Sequence, residues 1–331
     1  MRVRSLRFGV VGTGLIGGSL LRRLVDTDIE VHGWDPDGET LEFAQRHALP
    51  VTGDLAEAVA DRDIVILATP LSVLPHILER ITDHIGPDTV ITDVGSTKSG
   101  VAAAAAKSPL RDRFVPGHPM AGTEHSGLSA ARAGLFDGAT WVLCPDSVAR
   151  IGHVRTLITV ITTVFNARVT LMSPDRHDST VALSSHVPHL LAGSLAGAAR
   201  ASGDEDAVLG LAAGSFTDGT RVAGTAPART VDMLTANRDA VLAQLALVQN
   251  HLSDMAQALT ADDARGLTAL FAQARQVRTR LTTRADRPAT HRFDPADPDG
   301  EFAFLMGTGA QGVGLTDCTV TDDAIVYSSL G

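Results

Sequence analysis

The apolar run Phe8-Gly9-Val10-Val11 passes directly into Gly12-Thr13-Gly14-Leu15-Ile16-Gly17-Gly18-Ser19, and an amphipathic pattern from Ser19 to Val25 follows. No other feature constrains the fold as tightly, because a strand, a glycine-rich turn and a helix in that order give each glycine a separate steric duty. Gly12 permits a tight turn out of the strand, Gly14 lets the backbone approach a pyrophosphate, and Gly17 lets the helix pack closely on the strand. The N-terminus of that helix then presents amide donors and the positive end of its dipole to the phosphates. The chain is expected to begin with a dinucleotide-binding βαβ unit.

The same rhythm continues downstream. Ile29-Glu30-Val31-His32-Gly33-Trp34, Ile64-Val65-Ile66-Leu67-Ala68 and Val90-Ile91-Thr92 are apolar runs suited to strands buried on both faces, and segments such as Glu39 to His47 carry helical spacing. This alternation predicts an α/β fold, an N-terminal doubly wound (Rossmann) parallel sheet domain over residues 1–170. Ser173-Pro174-Asp175 reads as a helix start with proline at the first helical position, and the segment to residue 285 is rich in Ala and Leu with little strand signal. An all-α domain is expected over 171–285, with an apolar surface suited to a homodimer. Pro288, Pro295 and Pro298 mark a linker, so 286–331 is expected to be linker and a short, partly strand-like tail.

Asp35 closes the second strand, where a carboxylate can accept hydrogen bonds from the adenosine ribose hydroxyls and would repel a 2′-phosphate. The expected cofactor is therefore NAD rather than NADP, with Asp37 able to share this role. The expected cofactor contacts are Gly12, Thr13, Gly14, Leu15, Ile16 and Gly17 of the loop, with Asp35 and Thr69.

A net charge of −10 with no cationic run argues against a nucleic-acid partner, although a few cations converging in a cleft could still hold a small anion. No stretch approaches the length of a membrane span, and the N-terminus runs into a strand without a signal-type core, so a cytoplasmic location is expected. Only Cys144 and Cys318 are present, too few for a disulfide framework or a cysteine-rich zinc site, and no metal is expected.

Chemistry is concentrated in four further motifs. They are Asp93-Val94-Gly95-Ser96-Thr97-Lys98, Gly117-His118-Pro119-Met120-Ala121-Gly122-Thr123-Glu124-His125-Ser126-Gly127, Ser184-Ser185-His186-Val187-Pro188-His189, and Gly214-Ser215-Phe216-Thr217-Asp218-Gly219-Thr220-Arg221. His118, on a rigid turn, is suited to exchanging a proton with substrate near neutral pH. Together with the glycine loop, and in this order from about residue 6 to residue 250, the motifs resemble the prephenate and arogenate dehydrogenase family of tyrosine biosynthesis.

The resemblance implies an NAD-dependent oxidative decarboxylation of a small anionic cyclohexadienyl substrate in a cleft between the two domains. By resemblance His118 accepts the hydroxyl proton as hydride leaves, and Ser96 hydrogen-bonds the same hydroxyl or the histidine. Arg221 binds a substrate carboxylate, for which a guanidinium fork is well shaped. His186 and His189 help form the substrate pocket, Glu124 contacts substrate or gates the cleft, and Lys98 adds positive potential near the anion. His177-Asp178 fits the family pattern at a helix start without an assigned role.

Two departures bear on the substrate. Many relatives read Phe-Arg-Asp where this chain has Phe216-Thr217-Asp218, and they carry a tryptophan near Thr230 that is missing here. Prephenate, arogenate and an amino-substituted prephenate analogue therefore all stay open. Two other readings compete. One is another NAD(P)-linked hydroxy acid or imine reductase, in which His118 would be dispensable. The other is a nucleotide sensor without turnover, which has no use for the intact His118, Ser96 and Arg221.

Overall fold

The computed structural model describes residues 3–123, 125–146, 149–283 and 285–331. The expected strands form, and they form a parallel sheet. β1 (Phe8–Val11), β2 (Val31–Trp34), β3 (Val51–Thr52), β4 (Ile64–Leu67), β5 (Val90–Asp93) and β6 (Phe114–Val115) pair in the order β3-β2-β1-β4-β5-β6. All its pairings are parallel, with Phe8 opposite both Val31 and Ile64. That order reverses direction beside β1, and the crevice at the reversal, outside the carboxyl ends of the strands, is where such sheets bind ligands. β1, β4 and β5 are buried along their whole length, which is why their sequences are continuous rather than alternating apolar runs. Leu20, Leu21 and Leu24 are fully buried on one side of the helix Leu15–Asp26, and each contributes about 1.5–3 kcal/mol relative to exposure.

A second six-stranded sheet follows that the sequence pattern did not announce. β7 (Gly117–Pro119), β8 (Thr140–Leu143), β9 (Arg168–Leu171), β10 (Pro288–Phe293), β11 (Gly314–Val320) and β12 (Ile325–Leu330) pair in the order β10-β12-β11-β9-β8-β7. Only β8 and β9 are parallel neighbours; the other pairings are antiparallel. Residues 288–331 thus supply three strands of this sheet and a helix, so the strand content of the expected tail is larger than its sequence suggests. Two of the three prolines that read as linker signals begin elements instead, and Pro295 lies in the turn between those elements. Pro288 is the first residue of the exposed edge strand β10, and Pro298 starts the helix Pro298–Gln311. Glu301 on that helix, fully buried, accepts a hydrogen bond of 2.9 Å from Arg155 Nε and another from the Tyr327 hydroxyl, which ties helix and β12 to the helix Ile151–Thr163.

The chain divides into two compact units, Met1–Asp178 with Thr225–Ala236 and Pro288–Gly331, and Ser179–Gly224 with Asn237–Arg287. The first holds both sheets. The second is helical, built on Val187–Ala201, Arg238–Thr260 and Ala264–Thr283. The short helix Pro227–Ala236 groups with the first unit, although its sequence lies within the expected helical domain. Among the described residues no helix is long and apolar enough to cross a membrane.

Candidate active site

The carboxyl ends of β1, β2, β4, β5 and β6 carry, in turn, Gly12, Asp35, Thr69, Ser96 and the β7 residue His118. Gly12 has φ +93°, and a Cβ there would lie 2.8 Å from the Ala68 carbonyl oxygen. A Cβ on Gly17 would lie 1.9 Å from the Gly12 carbonyl oxygen, so helix and turn pack too closely for any side chain. At Gly14 a Cβ would meet nothing within 4 Å. The backbone there faces open space at the start of a helix whose N-cap, Gly14, makes no side-chain capping bond. Steric need at two glycines and open room at the third fit a cradle for a pyrophosphate.

Asp35 is braced onto this cradle. Its Oδ2 accepts from the Thr13 backbone N–H at 2.8 Å and from the Thr13 hydroxyl at 3.1 Å, and its Oδ1 accepts from the Asp37 N–H at 3.1 Å. A carboxylate has about four acceptor positions, so it keeps capacity for a ribose hydroxyl. Asp37 is used differently, as its carboxylate caps the helix Gly38–Arg46, accepting from the Thr40 N–H and hydroxyl, each at 2.8 Å. Thr69 Oγ1, beside Gly12 at the end of β4, is buried and makes no hydrogen bond to protein. A buried hydroxyl without a protein partner is costly unless a ligand or water engages it. The residues present therefore fit a dinucleotide, with Gly12, Gly14 and the following amides at the phosphates and Asp35 at a ribose.

His118 sits on β7 opposite Val142 and is half-buried. The residue before it is clamped through both of its backbone polar groups. The Gly117 N–H donates to Asp93 Oδ1 at 3.0 Å, and its carbonyl accepts from Lys98 Nζ at 2.7 Å. Lys98 and Asp93 form an ion pair with both side chains fully buried. The structure thus corrects the expectation for Lys98: its ammonium is committed to Asp93 and Gly117 inside the protein and holds the backbone beneath His118 instead of adding charge at a substrate. A Cβ on Gly117 would come within 3.0 Å of Trp141 Nε1 and nearer still to Thr92 and Asp93.

The His118 ring meets a second histidine. His118 Nδ1 lies 2.9 Å from Nε2 of the fully buried His177, the rings edge to face, and His177 Nδ1 lies 2.8 Å from Asp178 Oδ1. Asp178 also accepts from the backbone N–H groups of Lys98 and Ser99, at 2.7 and 2.8 Å, and so caps the helix Ser99–Ala106 from a distant part of the chain. Burial pushes the Asp178 carboxyl up, and the hydrogen bonds from His177, Ser99 and Lys98 together bring it below its ordinary value. Ser96 lies half-buried in the turn between β5 and that helix, and the described bond of the His118 ring runs to His177 rather than to it. Glu124 lies outside the described residues.

In the second unit, His186 is fully buried in a π-helical turn, Ala182–His186, and its Nδ1 accepts from the Asn237 side-chain amide at 3.1 Å. Single π turns in helices concentrate at functional sites. His189, half-buried, donates Nδ1–H to the Ser185 carbonyl at 2.9 Å. Arg221 is exposed at the end of the helix Gly214–Thr220 and forms no ion pair among the described residues. Sequence reasoning assigns no role to two groups in the first unit: the His177-Asp178 pair, noted only for its family pattern at a helix start, and Arg229, whose guanidinium donates to the Thr123 carbonyl at 3.1 Å and which no motif marks. Both cysteines are buried, and burial raises the Cys144 thiol to about 12 and Cys318 to about 11, which leaves neither a thiolate at neutral pH.

A parallel sheet of this order, a glycine cradle at its switch point and a histidine held at the same edge define a dinucleotide-dependent dehydrogenase. Residues 18–171 match the family described as prephenate dehydrogenase, nucleotide-binding domain, and residues 173–273 match prephenate dehydrogenase, dimerization domain. The chain belongs to the prephenate dehydrogenase family and is an NAD-dependent dehydrogenase. It is 33% identical to a prephenate dehydrogenase of Bacillus subtilis over 83% of this chain and 76% of that one, and 30% identical to a cyclohexadienyl dehydrogenase of Zymomonas mobilis over 84% and 96%. Its structure is similar to that of an arogenate dehydrogenase from Synechocystis, with TM-score 0.72 and 29% identity over 83% of this chain and all of the other.

Proposed function

We propose that the chain oxidises the ring hydroxyl of prephenate, arogenate or both with loss of the ring carboxylate, giving 4-hydroxyphenylpyruvate or tyrosine, and that His118 is the general base. What supports the reading is the clamp by which Asp93 and Lys98, at the carboxyl end of β5, hold the backbone that precedes His118, together with the family match over residues 18–273. Bound NAD supplies the hydride acceptor. His118 takes the hydroxyl proton at Nε2, the ring nitrogen that His177 does not engage. The carbon–carboxylate bond then breaks, its electron pair enters the ring, carbon dioxide leaves, and the phenolate oxygen so formed takes a proton back from the His118 imidazolium, giving the aromatic phenol. Ser96 orients the hydroxyl at the same strand edge, and Arg221 binds a substrate carboxylate through its two parallel donors. His186 and His189 line the substrate pocket, with His186 held through Asn237.

The test is NADH formation followed by absorbance, with prephenate and separately arogenate, and with NADP in place of NAD. Turnover on either substrate with NAD supports the reaction, and the ratio of the two rates sets the preference. No turnover on either overturns it. For Arg221, substitution Arg221→Lys keeps the charge and removes the fork. A lost charge-assisted hydrogen bond of about 1.5–3 kcal/mol predicts a KM raised roughly 10- to 150-fold with kcat changed far less; a KM within threefold of wild type, by steady-state kinetics, removes Arg221 from the site.

The functional unit is proposed to be a homodimer. Leu242, Leu247, Leu252, Leu259, Phe271 and Leu281 are exposed on two long helices of the second unit, within or just beyond the segment that matches the dimerization domain. Exposed apolar side chains in this number on the two helices suit burial against a second copy of the chain.

A further inference from the structure

We propose that His177 and Asp178 form a buried positioning relay that fixes the tautomer of His118 and supports the charge His118 acquires when it takes the substrate proton. The proposal rests on His118 being the base, and it explains how a neutral imidazole comes to present the correct nitrogen.

The argument is a proton inventory along three groups in line. Asp178 already accepts two backbone N–H groups, from Lys98 and Ser99, and an ionised carboxylate is an acceptor only. The proton in the 2.8 Å contact between Asp178 Oδ1 and His177 Nδ1 therefore belongs to His177. A neutral imidazole carries one N–H, so Nε2 of His177 is an acceptor. Across 2.9 Å stands His118 Nδ1, which must supply the proton. His118 is thereby held with hydrogen on Nδ1 and its lone pair on Nε2. The opposite tautomer would set two ring lone pairs against each other at that distance.

The same line acts during the reaction. When His118 Nε2 accepts the hydroxyl proton, the ring becomes an imidazolium whose Nδ1–H bond to His177 is charge-assisted and stronger. The carboxylate of Asp178 stands behind His177, which is fully buried, so water does not screen the attraction. Among the described residues the ionisable neighbours of this line include Lys98 and Asp93, which neutralise each other, Cys144, whose buried thiol stays protonated, and Asp175, which accepts from the Ser99 hydroxyl at 3.1 Å. An orienting group behind the catalytic histidine is the general arrangement by which enzymes choose a histidine tautomer. Here a second histidine is interposed between the base and the carboxylate.

The test substitutes His177, because Asp178 also caps a helix. His177→Leu removes both acceptor and relay, and kcat is expected to fall about 100-fold with NAD affinity unchanged, while the acid limb of the kcat/KM profile moves to lower pH as His118 loses the support for its charge. His177→Gln retains an acceptor near His118 Nδ1 and is expected to recover about tenfold in kcat without restoring the limb. Nitrogen-15 NMR of the imidazole rings, with His118→Asn identifying the signal, reads the tautomer without any substrate. The wild type is expected to show His118 protonated at Nδ1, and His177→Leu a mixture. Wild-type kcat and pH profile in both variants, or a kcat loss matched by a lower Tm with the limb in place, overturns the relay. So does a wild-type His118 signal protonated at Nε2. Inactivity of the wild type on both substrates would instead count against the proposed reaction, with the NMR result still deciding the relay.

Discussion

Replacing His118 with asparagine is expected to lower the rate of NADH formation by about 10³-fold, within the 10²–10⁴ that a positioned general base contributes, while NAD affinity and Tm stay near wild type. The separation follows from where the side chain stands. The proposed dinucleotide cradle is Gly12, Gly14 and Asp35 with Thr13, and none of their described hydrogen bonds runs to His118. The His118 backbone is held by the β7–β8 pairing and by the clamp on the preceding glycine, neither of which uses the ring. Asparagine is smaller, keeps an amide near Nδ1 that can still donate to His177, and carries no basic nitrogen. A 10³-fold loss is about 4 kcal/mol of transition-state stabilisation. Single-turnover kinetics at saturating NAD, with cofactor affinity from fluorescence titration, would measure both quantities. A loss below tenfold would sink the assignment and favour a hydroxy acid or imine reductase that takes its proton elsewhere.

How legible such a molecule is depends on whether the requirement is local. The glycine loop could be read because Gly12 and Gly17 answer contacts within a few residues or across one neighbouring strand. β1, β4 and β5 could be read because a strand covered on both faces must be apolar throughout. The second sheet could not. β7 has three residues, one of them proline, and β11 reaches β9 from more than a hundred residues away, so no periodicity announces the pairing. Lys98 was misplaced for the same reason. A single lysine in a loop reads as an exposed cation, and only folding brings Asp93 and the Gly117 carbonyl to its ammonium. His118, Ser96 and Arg221 stand out in the sequence as members of a motif set and their roles remain proposals, whereas His177 acquires a proposed role only when Asp178 and His118 are seen on either side of it.

The buried Lys98–Asp93 pair carries the largest expected effect on stability. Lys98→Met replaces the stem with a chain of similar length and deletes the ammonium, leaving Asp93 fully buried with two backbone donors, Gly95 and Gly117, and no cation. Stranding one partner of a buried pair costs about 3–5 kcal/mol, which for a unit of this size is a fall in Tm of roughly 10 °C. Asp93→Asn should cost a comparable amount by stranding the ammonium, and the double variant should be less destabilised than the sum of the two, because each single change leaves one buried charge uncompensated and the double variant leaves none. Calorimetry of all four proteins closes that cycle; additive losses would show that the pair contributes nothing beyond its separate hydrogen bonds. The consequence reaches the reaction through Gly117. Without the ammonium the Gly117 carbonyl loses its donor, and the strand that presents His118 loses one of its two tethers. Because catalytic groups lose effectiveness steeply with displacements of about 1 Å, kcat in Lys98→Met should fall even at temperatures where the protein is fully folded. A folded Lys98→Met enzyme with wild-type kcat would confine the ion pair to stability and leave the second sheet alone to place the base.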